Sequence, residues 1–322
     1  MEDAIVQVLA RIEKNYGEGR VKKVSQLPDT KDNIISTGVI GLDTALGIGG
    51  IKKGSIVEIY GPESAGKTTL ALQLCKQYLQ LGKSVLYIDT ERTLTKDTID
   101  SRGISDDNFY LMYADNLEMA LNVCKESAFA FSAIVIDSLA GLAPVAQIKG
   151  DIGDSHVGTF SKIMSDALSV LTPILDNAGC TLIVINQLRE KIGVMFENPE
   201  KATGGRALKY YAAMRLDVRR TETLKQNGEI IGCRVRVKAV KNKIATPFKE
   251  TEYDIMFGHG ISVEGDTLDY AVKNGIISKG SAWYSYKSER IGQGRENARQ
   301  YLVEHPKVHD EIMDMLRGAM FA

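Results

Sequence analysis

The chain has 322 residues, 44% hydrophobic and 25% charged, and carries a formal net charge of -1. This composition excludes a disordered polyelectrolyte, and the near-neutral total supplies no global positive field, so a site for nucleic acid has to be a local patch. Four cysteines, Cys75, Cys124, Cys180 and Cys233, stand far apart without a C-x-x-C pair, which argues against zinc or a disulfide framework and for buried, reduced thiols.

Along the chain, Ile5, Leu9, Ile12 and Tyr16 recur at helical spacing before Gly17, which predicts an amphipathic helix over 3–16. The polar stretch from Gly19 to Asn33, with Pro28, reads as a linker that frees this helix to pack outside its own core. Residues 1–33 are therefore expected to form an N-terminal helix and linker set apart from the core. Four apolar segments then alternate with helical patterns: Ser55 to Tyr60, Ser84 to Asp89, Ala133 to Asp137 and Thr181 to Asn186. Such alternation predicts an α/β core with a mostly parallel sheet covered by helices. Met214 to Arg220, Ile231 to Val240 and Thr251 to Phe257 are separated by turn residues and should extend the sheet as antiparallel hairpins. The core is expected over 34–260. Beyond it, short helices around Ala282-Trp-Tyr-Ser-Tyr286 predict a small C-terminal α/β domain over 261–322. The acidic N-terminus is unlike a signal peptide, and no apolar run approaches the roughly 18 residues of a membrane span, so a cytosolic protein is expected.

Residues 61 to 68, Gly61-Pro62-Glu63-Ser64-Ala65-Gly66-Lys67-Thr68, satisfy the G-x-x-x-x-G-K-[ST] phosphate-binding pattern between a strand candidate and a helical segment opened by Thr69. Glycines let backbone amides fold around phosphate oxygens, and the helix offers unpaired N–H groups and its positive dipole end. Lys67 should reach the β and γ phosphates of a nucleoside triphosphate, and Thr68 should place its hydroxyl on Mg²⁺. Asp137 ends the run Ala133-Ile-Val-Ile-Asp137 at the carboxyl edge of a parallel strand, where it fits the metal-orienting carboxylate. Gly61 through Thr69 and Asp137 thus form the expected nucleotide set, with Thr68 and Asp137 as metal ligands.

Glu91 follows the strand Val85-Leu-Tyr-Ile-Asp89 and sits at the same edge, where a carboxylate can orient and deprotonate the attacking water. Pairing with Arg92 is its bland alternative, and Asp89 competes for the role. Gln187 follows another such strand, where its amide can bond the γ-phosphate or merely cap the strand. Between Gln187 and Lys249 fifteen Lys/Arg stand against six Asp/Glu, which makes a local positive segment. Within it, Arg189 to Arg206 mixes charge, glycine and apolar residues. It reads either as a mobile loop that contacts phosphates and slips an apolar side chain between bases, or as a solvated charged loop.

Gly61 to Thr68, Gly153-Asp-Ser-His156, Asn186-Gln187, Lys191-Ile-Gly-Val-Met-Phe196, Thr203-Gly-Gly205, Arg215-Leu-Asp217 and Lys241-Asn-Lys-Ile-Ala245 closely resemble the bacterial RecA recombinase family. The resemblance runs from the first helix past Gly294. It implies a filament-forming ATPase that coats single-stranded DNA, pairs it with homologous duplex and exchanges strands, with ATP and Mg²⁺ as cofactors. It also implies DNA-binding loops at 150–158 and 189–205. There, Val157 and Ile192 would wedge between base triplets, and Gly158, Arg189, Lys191, Gly204 and Gly205 would contact the DNA. Lys241 and Lys243 match lysines that reach a neighbouring subunit's ATP, and Gln187 would link nucleotide state to the second loop. Three departures stand out: Thr98 where the family has a tyrosine stacking on adenine, Tyr210 for a phenylalanine at a subunit interface, and an ending, Met315 to Ala322, without an acidic tail. Rival readings are a ring-forming helicase on the same core, a small-metabolite kinase, and a DNA-binding mediator that barely hydrolyses ATP.

Overall fold

The computed structural model describes residues 2–26, 29–105, 107–151, 158–190, 200–202, 206–226 and 228–321. They fall into two compact units, Met1–Asn33 and Ile34–Ala322. The first holds the expected helix, Glu2–Tyr16, followed by short 3-10 turns at Val24–Gln26 and Thr30–Asn33. Its apolar stripe is open to solvent, with Ile5 59% and Tyr16 69% exposed.

Among the described residues the second unit is built on a ten-stranded sheet. From edge to edge its strands are Gly260–Ile261, Glu250–Met256, Glu229–Asn242, Met214–Gln226, Ile56–Gly61, Thr181–Glu190, Ala133–Asp137, Val85–Asp89 and Phe109–Met112, with Glu200–Ala202 paired to Thr181–Glu190. Pairings from Met214–Gln226 to Phe109–Met112 are parallel, and those on the other side of Met214–Gln226 are antiparallel. Met214–Gln226 is therefore not simply a hairpin arm: it joins the parallel set through Ile56–Gly61 and opens the antiparallel set through Glu229–Asn242. Phe109–Met112 escaped the periodicity reading because an edge strand of four partly exposed residues leaves no long buried run.

The apolar runs are continuous because both faces of the sheet are covered. Val57, Ile59, Val85, Tyr87, Val135 and Ile183 pack on one face with Leu70, Leu74 and Tyr78 of helix Lys67–Gln80. Their alternates Ile56, Leu86, Ile88, Ile134 and Val184 pack on the other with helices Leu117–Ser127 and Thr159–Ala178. The four cysteines are buried in these layers as free thiols.

A third core gathers Leu268, Ile277, Tyr284, Tyr286, Ile291, Leu302 and Leu316 around the three-stranded antiparallel sheet Ser278–Gly280, Trp283–Tyr286 and Glu289–Gln293, together with Ile40 of helix Ile40–Leu46. Arg295 ties this region to the main sheet, bonding Asp254 at 3.0 Å and Asp269 at 2.7 Å. Asp266 accepts the Gly41 N–H at 3.0 Å, placing a carboxyl at the N-terminal end of helix Ile40–Leu46. Among the described residues no helix is long and apolar enough to cross a membrane.

Burial raises the Asp266 carboxyl to about 7 against the bonds from Gly41 and Ile40 that lower it, and burial raises Asp43 to about 6 against the bond from Ser36. A carboxyl that holds its proton more tightly folded than unfolded stabilises fully below its unfolded value, and that stabilisation is lost as pH rises through the folded value. Asp266→Asn should therefore flatten the decline of urea stability between about pH 4 and 7 relative to wild type. Parallel pH profiles for the two proteins would show that Asp266 is not a source of that decline.

Candidate active site

The strand Ile56–Gly61 ends where its last residue lies against the neighbouring backbone: a Cβ on Gly61 would meet the Val218 carbonyl oxygen at 2.1 Å. The chain then loops through Ser64, φ 54°, and Gly66, φ 96°, into helix Lys67–Gln80. Gly66 is required twice, by its left-handed backbone and because an added Cβ would lie 2.5 Å from Ile255 Cδ1. This loop forms one wall of a cavity of about 380 Å³ lined by Glu63 through Thr69, Glu91, Asp137 and Gln187, and also by Met256, Phe257 and Gly258. Gly61 and Pro62 stand behind the lining. Gly61 pairs with Gln187 in the sheet, and Pro62 accepts the Lys67 Nζ–H at 2.5 Å.

Lys67 is 7% exposed, and burial lowers its pKa against the pull of Asp137, Glu91 and Glu63. Asp137 Oδ2 accepts the Thr68 hydroxyl at 2.7 Å and the buried Tyr87 hydroxyl at 2.6 Å. Burial raises the Asp137 carboxyl, and these two hydrogen bonds act against that shift. A hydroxyl and a carboxylate facing one cavity form a hard oxygen set that fits Mg²⁺.

Glu91 is held from two sides: its Oε1 accepts the Ser138 hydroxyl at 2.9 Å and the Gln187 Nε2–H at 3.2 Å. Arg92 turns away to Asp115 at 3.3 Å, so the Glu91–Arg92 pair is not formed. Asp89 is 2% exposed, and its oxygens accept the backbone N–H groups of Glu91, Arg92 and Leu94 at 3.0, 2.8 and 2.9 Å. That use shapes the turn carrying Glu91 and leaves Asp89 outside the cavity lining. Ser138 and Tyr87 are the functional neighbours that sequence reasoning missed. Ser138 could have been suspected from its place next to Asp137, whereas the Tyr87 contact depends on strand register.

Lys241 and Lys243 do not line this cavity. Lys241 Nζ donates to the carbonyls of Lys209 at 2.5 Å and Tyr210 at 3.0 Å, and Lys243 and Tyr210 are exposed. Gly158, φ 87°, caps helix Thr159–Ala178. The backbone of Arg189 pairs with Lys201 in a hairpin base formed by Leu188–Glu190 and Glu200–Ala202, so the segment expected to be all loop starts as paired strand. Val157, Lys191, Ile192, Gly204 and Gly205 lie outside the described residues. The positive segment is also smaller than its count suggests. Arg215 pairs with Glu58, Arg234 with Asp254 at 2.8 Å and Lys238 with Glu250 at 3.7 Å, all acids from outside the segment.

The RecA N-terminal domain model matches residues 3–262, and the RecA C-terminal domain model matches 265–320. Curated relatives include Protein RecA of Gluconobacter oxydans, 47% identical over 317 residues covering 98% of this chain and 92% of the relative. Protein RecA of Nocardia farcinica is 48% identical over 313 residues, covering 97% and 90%. Among solved structures the crystal structure of the RadB recombinase shares the fold, with a TM-score of 0.52 and 24% identity over 71% of this chain and 98% of that one.

With Lys67 the buried cation of the phosphate loop, Lys67→Ala should lower triphosphate hydrolysis about 10²- to 10³-fold without lowering the melting temperature. Steady-state turnover and thermal unfolding of the same preparation measure both. Near wild-type turnover would remove Lys67 from the phosphate role.

Proposed function

The chain belongs to the RecA family of recombinases, DNA-dependent ATPases of recombination and repair, and we propose that it polymerises on single-stranded DNA as a helical filament that pairs homologous duplex and exchanges strands. The contact that carries the reading is Gln187 to Glu91, because Gln187 lies in the strand that continues into the hairpin base at Leu188–Glu190. A residue shared between the water-orienting carboxylate and the root of that hairpin can pass the state of the γ-phosphate to bound DNA.

In this reading the loop Gly61 to Thr69 cradles the phosphates of ATP and Lys67 holds the β and γ groups. Mg²⁺, held by Thr68 and Asp137, would neutralise phosphate charge. Glu91, fixed by Ser138, orients and deprotonates the attacking water. Segments 150–158 and 189–205 contact DNA through Val157, Gly158, Arg189, Lys191, Ile192, Gly204 and Gly205. Lys241 and Lys243 serve the ATP of a neighbouring copy, which accords with their place outside their own cavity. Residues 1–33 provide the oligomerisation helix, 34–260 the ATPase core and 261–322 a small C-terminal domain. The exposed stripe of helix Glu2–Tyr16 suits docking on an adjacent copy. A cytoplasmic location is part of the same proposal. ATP hydrolysis measured with and without single-stranded DNA, with electron microscopy of the same samples, tests the proposal. Stimulated hydrolysis and filaments of variable length support it, whereas closed rings or DNA-independent turnover overturn it.

A site completed by two copies also predicts complementation. Glu91→Gln and Lys243→Ala proteins should each hydrolyse ATP poorly, while mixed filaments contain junctions with both groups intact. DNA-dependent activity should then rise and fall with the mixing ratio. Activity that never exceeds the weighted sum, in filaments shown to co-assemble, would remove Lys243 from the neighbour's site.

A further inference from the structure

We propose that Arg102 contacts the nucleobase in this site and admits either purine, an inference that rests on the nucleotide reading above. Thr98, at the position where the resemblance implies a stacking aromatic, lines neither of the two adjoining cavities. It belongs instead to the start of helix Lys96–Asp100, where Thr95 Oγ1 accepts the Thr98 N–H at 3.2 Å and the two hydroxyls lie 2.9 Å apart. Arg102, one turn further on, lines both the phosphate cavity and the neighbouring cavity of about 450 Å³ that shares Thr69 and Met256 with it.

The side chain of Arg102 is anchored without being neutralised. Its Nη1 donates to the Thr98 carbonyl at 2.8 Å, and its stem lies over Gly260, where an added Cβ would meet Cγ at 3.5 Å. Among the described residues its buried Nε has no hydrogen-bond partner, and burial lowers its pKa against the pull of Tyr87. Phe257 and Gly258 line the phosphate cavity together with Arg102. A planar cation lining a triphosphate cavity offers a stacking face to a base together with N–H donors. Either purine supplies the N7 acceptor, and guanine adds O6 where adenine carries an amino donor. Arg102 therefore accepts both purines and does not reject guanine.

The test is steady-state hydrolysis of ATP and GTP on single-stranded DNA by wild type, Arg102→Leu and Arg102→Lys, with inorganic tripolyphosphate as competitor. Wild type should use GTP with a kcat/KM within about tenfold of ATP. Arg102→Leu should raise KM for both about five- to tenfold while leaving kcat and tripolyphosphate inhibition unchanged, as expected for a lost cation–π contact. Arg102→Lys, without the planar face, should not restore KM. Unchanged Michaelis constants in Arg102→Leu, or tripolyphosphate inhibition weakened in parallel, would overturn the base contact alone. A wild type that hydrolyses no triphosphate would overturn the site reading and the base contact together.

Discussion

One buried carboxylate holds the catalytic edge together. Asp137 ends a central parallel strand, and its Oδ2 accepts hydroxyl bonds from Thr68 on the phosphate-loop helix and Tyr87 on the adjacent strand. Moving a carboxylate out of water is costly unless hydrogen bonds and a cation compensate it, and Thr68, Tyr87 and the nearby Lys67 supply that compensation. The helix that presents its N-terminus to phosphate is thereby pinned to the sheet. The same edge brings Asp89 beside Asp137 in register, and Asp89 uses its oxygens to form the turn that delivers Glu91.

From that edge a polar path leads outward. Ser138 and Gln187 both bond Glu91, Gln187 pairs with Gly61 at the start of the phosphate loop, and the strand runs on into the hairpin base at Leu188–Glu190. One strand therefore touches the phosphate loop, Glu91 and the root of the segment 189–205. The neighbouring Asn186 is engaged differently: its Nδ2 donates to Glu58 at 3.0 Å, and Glu58 in turn pairs with Arg215, whose guanidinium lies 4.5 Å from the Tyr60 ring centre. This buried polar group fixes the register of three central strands beneath the site.

Net charge, by contrast, is a poor guide to where the chain can hold a polyanion. Several cations between Gln187 and Lys249 are paired with Glu58, Asp254 and Glu250, which lie outside that stretch. Arg102 shows the converse: it lies in an unremarkable stretch, yet the fold sets it between two cavities without an ion pair among the described residues.

The sequence alone determined the phosphate loop, the parallel α/β core, the first helix and the candidate roles of Lys67, Thr68, Asp137, Glu91 and Gln187. These follow from local signals: a fixed glycine spacing, apolar runs buried on both faces, and residues placed just beyond strand ends. The short edge strand Phe109–Met112 and the double pairing of Met214–Gln226 were not legible, because strand neighbours are chosen by long-range hydrogen bonding and no local pattern encodes them. Only the tertiary structure separated Glu91 from Asp89, since that choice depends on three backbone N–H groups reaching one carboxylate. It likewise placed Ser138 on Glu91, took Arg92 away to Asp115 and gave the cavity wall to Arg102 while Thr98 served the helix start. Sequence names the groups able to do the chemistry, and folding decides which of them face the cavity and which are consumed in building its walls.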